Sequence, residues 1–231
     1  MKLRVGTSGY SYKEWVGSFY PPKHPAAKML HFYAGRFGTV EINNTFYRMP
    51  TAEMLAKWAG EVSQDFRFVL KAPRRITHDR KLAGVEDSVA FLMEASATLG
   101  EKRGPFLFQL PPTFKKDTPR LADFLARLGP IPAAFEFRHS SWFEDEIYDV
   151  LRSHAVTLCL AETDEGDPPP RVATASWGYL RLRRVDYGDD ELMAWLGWIR
   201  EQGWESAYVF FKHEDEGHAP RLAARLLELA G

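Results

Sequence analysis

The 231-residue chain has a single cysteine, Cys159, so it cannot form an internal disulfide. It has no apolar run near the roughly 18 residues of a membrane-spanning helix, and its first residues lack the apolar segment of a signal peptide. Neither charge dominates, because 30 Lys and Arg face 31 Asp and Glu. These absences argue against a secreted disulfide scaffold, a membrane partner and binding to polyanions through net charge. We therefore expect a soluble, cytoplasmic protein.

Short strand-like runs alternate with helix-length amphipathic stretches along the whole chain, a pattern typical of a parallel sheet. The predicted strands are 3–7, 39–43, 66–71, 106–110, 134–138, 157–161, 179–183 and 207–211. Eight units in 231 residues give about 29 residues each, which fits a compact (β/α)8 TIM-type barrel formed by residues 1–231 as a single domain. A doubly wound open sheet is the alternative. It is less favoured because the turn from Gly6 to Tyr10 lacks the third glycine of a dinucleotide-binding loop.

Helix-like segments connect all but one pair of these strands. They are 26–37, 51–59, 88–99, 119–128, 144–154 and 189–202, with a last helix at 220–229. The sixth crossover, residues 162–176, contains three consecutive prolines, which a helix interior does not tolerate. We therefore predict an irregular sixth crossover.

Side chains alternate faces along a strand, so one parity points into a barrel and the other toward its helices. By this test polar residues point inward near the C-terminal ends of five strands, where barrel enzymes build their sites. They are Glu41, Asn43, Lys71, Gln109, Glu136, Arg138, Arg181 and Arg183. Internal ion pairing is the structural alternative for each residue. Because the whole set lies at one end, we favour a functional site.

The same segments carry a resemblance to a known family. The opening Gly6–Tyr12 followed by Trp15, and the later motifs Glu41–Tyr47, Phe68–Pro73, Leu107–Pro112 and Phe135–Trp142, resemble the YecE-like family, the domain of unknown function 72. The resemblance implies a TIM barrel over nearly the whole chain and no settled activity. This chain departs from the family pattern at Arg183-Arg184 and at Lys212-His213, where a His-Gly and an Asn-Asn pair are usual.

Two kinds of catalysis are consistent with the inward residues. Glu41 and Glu136 could form an acid/base pair, as in glycoside hydrolysis, or could simply pair with Lys71 or Arg138. Lys71 could be a Schiff-base lysine, because burial lowers the pKa of an ammonium group. A neighbouring Glu41 would favour its charged form, so we prefer a cationic clamp on an anion.

The remaining predicted site residues would bind substrate. Arg138, Arg181 and Arg183 offer forked donors to phosphate or carboxylate oxygens. Aromatic rings near three strand ends could stack on a sugar or a base, or could close that end of the barrel as a lid. The predicted substrate-binding set is Ser8, Tyr10, Asn43, Gln109, Arg138, His139, Trp142, Arg181 and Arg183.

Metal catalysis has little support, because only His78, His139 and His213 follow predicted strands and they form no metal-binding motif. We therefore expect no metal and no cofactor. The preferred function is a metal-independent hydrolase or lyase acting on a phosphorylated or sugar-like small molecule. The alternative is a non-catalytic module that binds a nucleotide or nucleic acid. Nucleic acid is possible as a partner but is not favoured. The sequence gives no signal for the oligomeric state.

Overall fold

Eight parallel strands form the inner layer of the fold in a computed structural model that describes residues 1–164, 170–213 and 215–231. These strands are β1 (Lys2–Thr7), β2 (Thr39–Ile42), β3 (Arg67–Lys71), β4 (Arg103–Gln109), β5 (Ala133–Glu136), β6 (Thr157–Glu162), β7 (Trp177–Leu182) and β8 (Ser206–Phe211). Strands β2 to β8 pair in chain order, and β1 pairs with β8. The predicted TIM-type (β/α)8 barrel is confirmed.

The barrel closes at a seam between β1 and β2 that is held partly by a side chain. The buried hydroxyl of Tyr33 accepts a hydrogen bond from the Thr7 amide (2.8 Å) and donates one to the Thr39 carbonyl (3.1 Å). Gly6 allows the close approach, because a Cβ there would lie 2.2 Å from the Thr39 carbonyl oxygen. Direct pairing resumes at the C-terminal end, where the Gly9 amide donates to the Glu41 carbonyl at 2.8 Å.

Helices cover the outside of the strands. They are α1 (Met29–Ala34), α2 (Asn44–Tyr47), α3 (Ala52–Gly60), α4 (Glu86–Ala97), α5 (Thr118–Leu128), α6 (Asp145–Ser153), α7 (Asp189–Glu201) and α8 (His218–Ala230). In the part of the chain that the structure describes, none of the helices combines the length and the apolar character needed to cross a membrane.

The connections differ from the sequence prediction at several places. The predicted helix 26–37 is a 3-10 turn (Ala26–Lys28) followed by the shorter α1. The helical segments that were not predicted include α2, a π-helix at Arg75–Asp79 and 3-10 turns at Lys13–Trp15 and Ser140–Trp142. The described residues of the sixth crossover contain no helix, as predicted, while residues 165–169 of that loop lie outside the described residues. Thr174 ties this loop to the barrel, since its hydroxyl accepts from the Leu158 amide and donates to the Val156 carbonyl, both at 2.8 Å.

The barrel interior is divided into two layers along the strands. The layer toward the N-terminal ends is mainly apolar and consists of Val69, Leu107, Ala134, Cys159, Tyr179, Tyr208 and Phe210. Two residues further along β3, β4, β5 and β7, the next inward positions are all polar. The fold therefore places a charged layer over a closed apolar floor, at the end where barrel enzymes bind their substrates.

Candidate functional site

Five polar side chains from five strands meet inside the barrel above the apolar floor. They are Glu41, Lys71, Gln109, Glu136 and Arg181, and none exposes more than 8% of its surface. Charged groups are rarely buried to this extent unless they are paired or functional. Their contacts distinguish these two roles.

Arg181 bridges the two buried glutamates. Its Nη2 donates to Glu41 Oε1 at 2.8 Å, and its Nη1 donates to Glu136 Oε2 at 2.5 Å. The second oxygen of Glu41 accepts the Tyr179 hydroxyl at 2.6 Å. Burial alone would raise the pKa of both glutamates, but Arg181 and the other donors outweigh it and hold both pKa values below the usual range. Both carboxylates are therefore ionised at neutral pH.

Lys71 is linked to Glu136 only through Gln109. Lys71 Nζ donates to Gln109 Oε1 at 2.9 Å, and Gln109 Nε2 donates to Glu136 Oε1 at 2.8 Å. The Lys71 ammonium also lies 4.1 Å from the centre of the Phe46 ring. Burial, followed by the positive charge of Arg181, lowers the pKa of Lys71 to about 8, although Glu136 and Glu41 oppose the change. The sequence predicted that a neighbouring Glu41 would keep the pKa of Lys71 high. In the structure the pKa of Lys71 is lowered, and the Glu41 carboxylate is engaged by Arg181 and Tyr179 instead.

Two further arginines stand at the rim of this cluster. Arg138 donates from Nε to Glu136 Oε1 at 3.0 Å, and a third of its side chain is exposed. Arg183 forms no ion pair with any described residue, and its buried Nε has no hydrogen-bond partner among them. Burial and the neighbouring Arg181 lower the pKa of Arg183. The rim thus carries positive charge that the buried glutamates do not neutralise.

Three contributors to this cluster were absent from the predicted site. Tyr179 shares the inward face of Arg181, so the parity argument already contained the signal for it. Phe46 and His78 lie on helical segments just after β2 and β3, where strand parity gives no information. The His78 ring contacts Phe46 (4.8 Å between centres), and burial together with Lys71 lowers its pKa to about 4. His78 is therefore neutral at pH 7.

The other predicted substrate-binding residues occupy different surroundings. Ser8 forms a backbone bridge with Glu41, and its buried hydroxyl has no hydrogen-bond partner among the described residues. Tyr10 and Asn43 are half-buried and line a small cleft between the first loop and the end of β2. His139 uses Nδ1 to accept the Ser141 amide at 3.1 Å, which caps a short 3-10 turn.

Trp142 is not available to a ligand, contrary to its predicted binding role. It is fully buried, its ring stacks on Phe137 at 4.7 Å, and its Nε1 donates to the Phe114 carbonyl at 2.6 Å. In the first loop Trp15 and Tyr20 are buried in the same way. These rings pack on each other and on α1, which supports the lid alternative over a stacking surface.

Among the described residues, no group of three or more His, Cys, Asp and Glu side chains is arranged to hold a metal ion. His213, one of the three histidines considered, contacts the Arg183 carbonyl through Nε2 at 3.1 Å. The buried Cys159 lies in the apolar floor, where burial raises the pKa of its thiol.

Comparison with known proteins identifies the family. The model for "Protein of unknown function DUF72" matches residues 4–231. The chain belongs to this family. This member is 32% identical to the protein YunF of Bacillus subtilis, over 98% of this chain and 94% of that protein. It is 31% identical to YecE of Escherichia coli K12, over 61% of this chain and 50% of that protein.

Solved structures share the fold of this DUF72 member. A DUF72 family protein from Thermotoga maritima superposes with a TM-score of 0.85 at 24% identity, covering 99% of each chain. One from Enterococcus faecalis has a TM-score of 0.82 at 19% identity, covering 99% of this chain and 95% of the other. The 3-keto-D-glucoside 4-epimerase YcjR of Escherichia coli has a TM-score of 0.54 at 13% identity, with 99% of each chain covered. At these identities the likeness concerns the fold.

Proposed function

We propose that the barrel mouth binds a small phosphorylated or carboxylated metabolite and that the protein is a metal-independent enzyme acting on it. One observation carries this proposal. Four cationic side chains, Lys71, Arg138, Arg181 and Arg183, meet only two carboxylates, and Arg181 engages both of these. Like charges brought together in a partly desolvated site raise the free energy of the empty protein. An anion with several acceptor oxygens would relieve this repulsion.

Arg183 and Arg138 are the groups best placed to hold the anion. The guanidinium of Arg183 has no ion-pair partner in the described ranges, and the one ion pair that Arg138 forms with a described residue uses its Nε. A guanidinium presents two parallel donors to a phosphate or carboxylate, so both rim arginines can still offer such a pair. Lys71 lies deeper, where it would meet the reacting part of the ligand.

A glycosidase-like pair of glutamates has less support than chemistry at Lys71. Such an enzyme needs one carboxyl group that is protonated and can donate a proton to the leaving group. Both Glu41 and Glu136 have lowered pKa values and are surrounded by donors. Among the two predicted reaction classes this favours a lyase over a hydrolase of sugars. Nucleic acid is not proposed, because the aromatic rings that would stack on bases are largely packed into the protein.

Thermal unfolding in sodium phosphate and in sodium chloride of equal ionic strength tests the anion site. A ligand at a hundredfold excess over its Kd stabilises the folded state by about 2.7 kcal/mol, so phosphate should raise the melting temperature by several degrees more than chloride. Arg183→Ala should abolish the difference. Arg184→Ala is the matched control, because the adjacent Arg184 is paired with Glu191 at the surface. Equal shifts in both salts, or a phosphate effect that survives Arg183→Ala, would contradict the proposal.

A further inference from the structure

We propose that Lys71 forms a covalent imine with an aldehyde or ketone group of the bound anion, so that the substrate class is a phosphorylated or carboxylated carbonyl compound. This inference rests on the proposed function and deepens it.

The Lys71 side chain ends in an enclosed position with neutral contacts. It leaves the last residue of β3, is 8% exposed, and contacts the Gln109 amide oxygen and the Phe46 ring. No described carboxylate forms an ion pair with it, because Glu41 and Glu136 are held by Arg181. A buried lysine that served only as a counter-ion would instead be expected to contact a carboxylate directly.

The charged and titratable groups around this amine have opposing effects on its protonation. The groups that act on it, from β2, β5, β7 and the segment after β3, are Glu41, Glu136, Arg138, Arg181 and His78. The two glutamates favour the ammonium form, whereas burial and the two arginines favour the neutral amine and bring the pKa to about 8. At pH 7 about a tenth of the Lys71 side chains would then be neutral, against fewer than about one in a thousand for an ordinary lysine. Only the neutral amine is a nucleophile.

The reaction balances without a metal or an oxidant. The neutral Nζ attacks the carbonyl carbon, a C–N bond forms as the carbonyl π bond breaks, and one of the two Nζ protons moves to the carbonyl oxygen to give a neutral carbinolamine. The carbinolamine then loses its hydroxyl group with a further proton as water and leaves a protonated imine on Lys71. Overall, one carbonyl compound, one neutral amine and one proton give one protonated imine and one water. The charge on Nζ is then the same as in the resting ammonium, so the surrounding glutamates stabilise it as before.

The protonated imine gives the site a lyase-type function. It withdraws electrons from the neighbouring carbon atom, so a bond to that carbon can break or a proton can leave from it. Arg138 and Arg183 would hold the anionic end of the same molecule, which fixes the distance between its anion and its carbonyl group. The proposed substrate therefore carries both groups.

Borohydride trapping with a small anionic aldehyde tests this inference. The full-length protein is incubated with glyoxylate at pH 7, reduced with sodium borohydride, digested and mapped by mass spectrometry. We expect carboxymethylation of Lys71 at least about tenfold above that of any other lysine. It should be absent in Lys71→Met and retained in Lys115→Met, which removes an exposed lysine from the loop after β4. Circular dichroism melting confirms that each variant is folded.

Modification spread over surface lysines and unchanged in Lys71→Met would overturn the inference. Glycolaldehyde, a neutral aldehyde of similar size, tests imine formation at Lys71 independently of anion binding. Preference for glyoxylate that disappears in Arg183→Ala supports both proposals. Equal trapping of both aldehydes on Lys71, unaffected by Arg183→Ala, keeps the imine and contradicts the anion site. A phosphate-dependent thermal shift without any adduct on Lys71 keeps the anion site and contradicts the imine.

Discussion

Two groups of charged residues in the barrel mouth use the same residue types in opposite ways. In the paired group Arg181 is enclosed by Glu41 and Glu136, and every carboxylate oxygen of the pair has a donor. In the unpaired group Lys71 and Arg183 have no carboxylate partner among the described residues. Charges of the first kind are satisfied within the fold, so that removing one of them would leave an uncompensated buried charge. Charges of the second kind cost stability in the empty protein, and the proposed anion would satisfy them.

Replacing Arg181, which bridges the two glutamates, should have the largest effect on stability. Arg181→Met would leave two buried carboxylates without a counter-ion, so we expect the free energy of unfolding to fall by about 3–5 kcal/mol at pH 7. Urea denaturation measures the change. Arg183→Met is the comparison variant from the unpaired group and should lower stability by less than about 1 kcal/mol or raise it. Similar losses in the two variants would show that the two groups do not differ.

The lysine substitution should change stability in the opposite direction. Lys71→Met removes a buried ammonium, so the variant should be more stable than the parent at pH 7, by at most about 3 kcal/mol for a pKa that falls from 10.5 to about 8. Because the folded pKa lies below the unfolded one, the unfolded state binds more protons between pH 8 and 10.5, and the parent gains stability as pH rises there. The advantage of the variant should shrink over the same interval. A constant difference from pH 7 to 10.5 in urea denaturation would contradict this assignment.

The smallest effect on stability is expected at Arg138, which has features of both groups. Arg138 pairs with Glu136 but is one-third exposed, so solvent screens the pair. Arg138→Gln should therefore lower the free energy of unfolding by no more than about 1 kcal/mol, while it weakens the phosphate-dependent thermal shift. A large loss of stability would show that Arg138 belongs to the paired group.

The topology of this protein could be predicted from the sequence because its signal is local. Each strand is a short apolar run and the connections have helical periodicity, so the order of elements is visible without any contact. The ends of elements were less predictable. The helix predicted from Ala26 begins as a 3-10 turn, and α2 occupies only four residues after β2, too short for periodicity to be detected.

Strand parity predicted which side chains point inward, but not which of them pair. Whether Arg181 or Lys71 reaches Glu41 depends on the stagger between β2, β3 and β7, and stagger is a property of the closed barrel. The burial of Trp142 was unpredictable for a related reason. The Trp142 ring stacks on Phe137 because a short 3-10 turn folds the chain back between them. No sequence pattern indicated that turn. The sequence showed which charged residues each strand carries. It did not show which of these charges neutralise one another.

The seam held by Tyr33 has a consequence for how the chain reaches its native state. In chain order β1 is the first of the eight barrel strands, yet its continuous backbone partner is β8, whose paired residues lie 204 positions later (Lys2 with Ser206, Thr7 with Phe211). Its junction with β2, the next strand made, lacks a full ladder and depends on a hydroxyl group from α1. During synthesis β1 therefore has only a weak partner until the last strand emerges from the ribosome. The loop between β1 and β2 is accordingly the natural place to cut the chain in a circular permutant, in which β1 would follow α8 and lie close in sequence to β8, its fully paired neighbour.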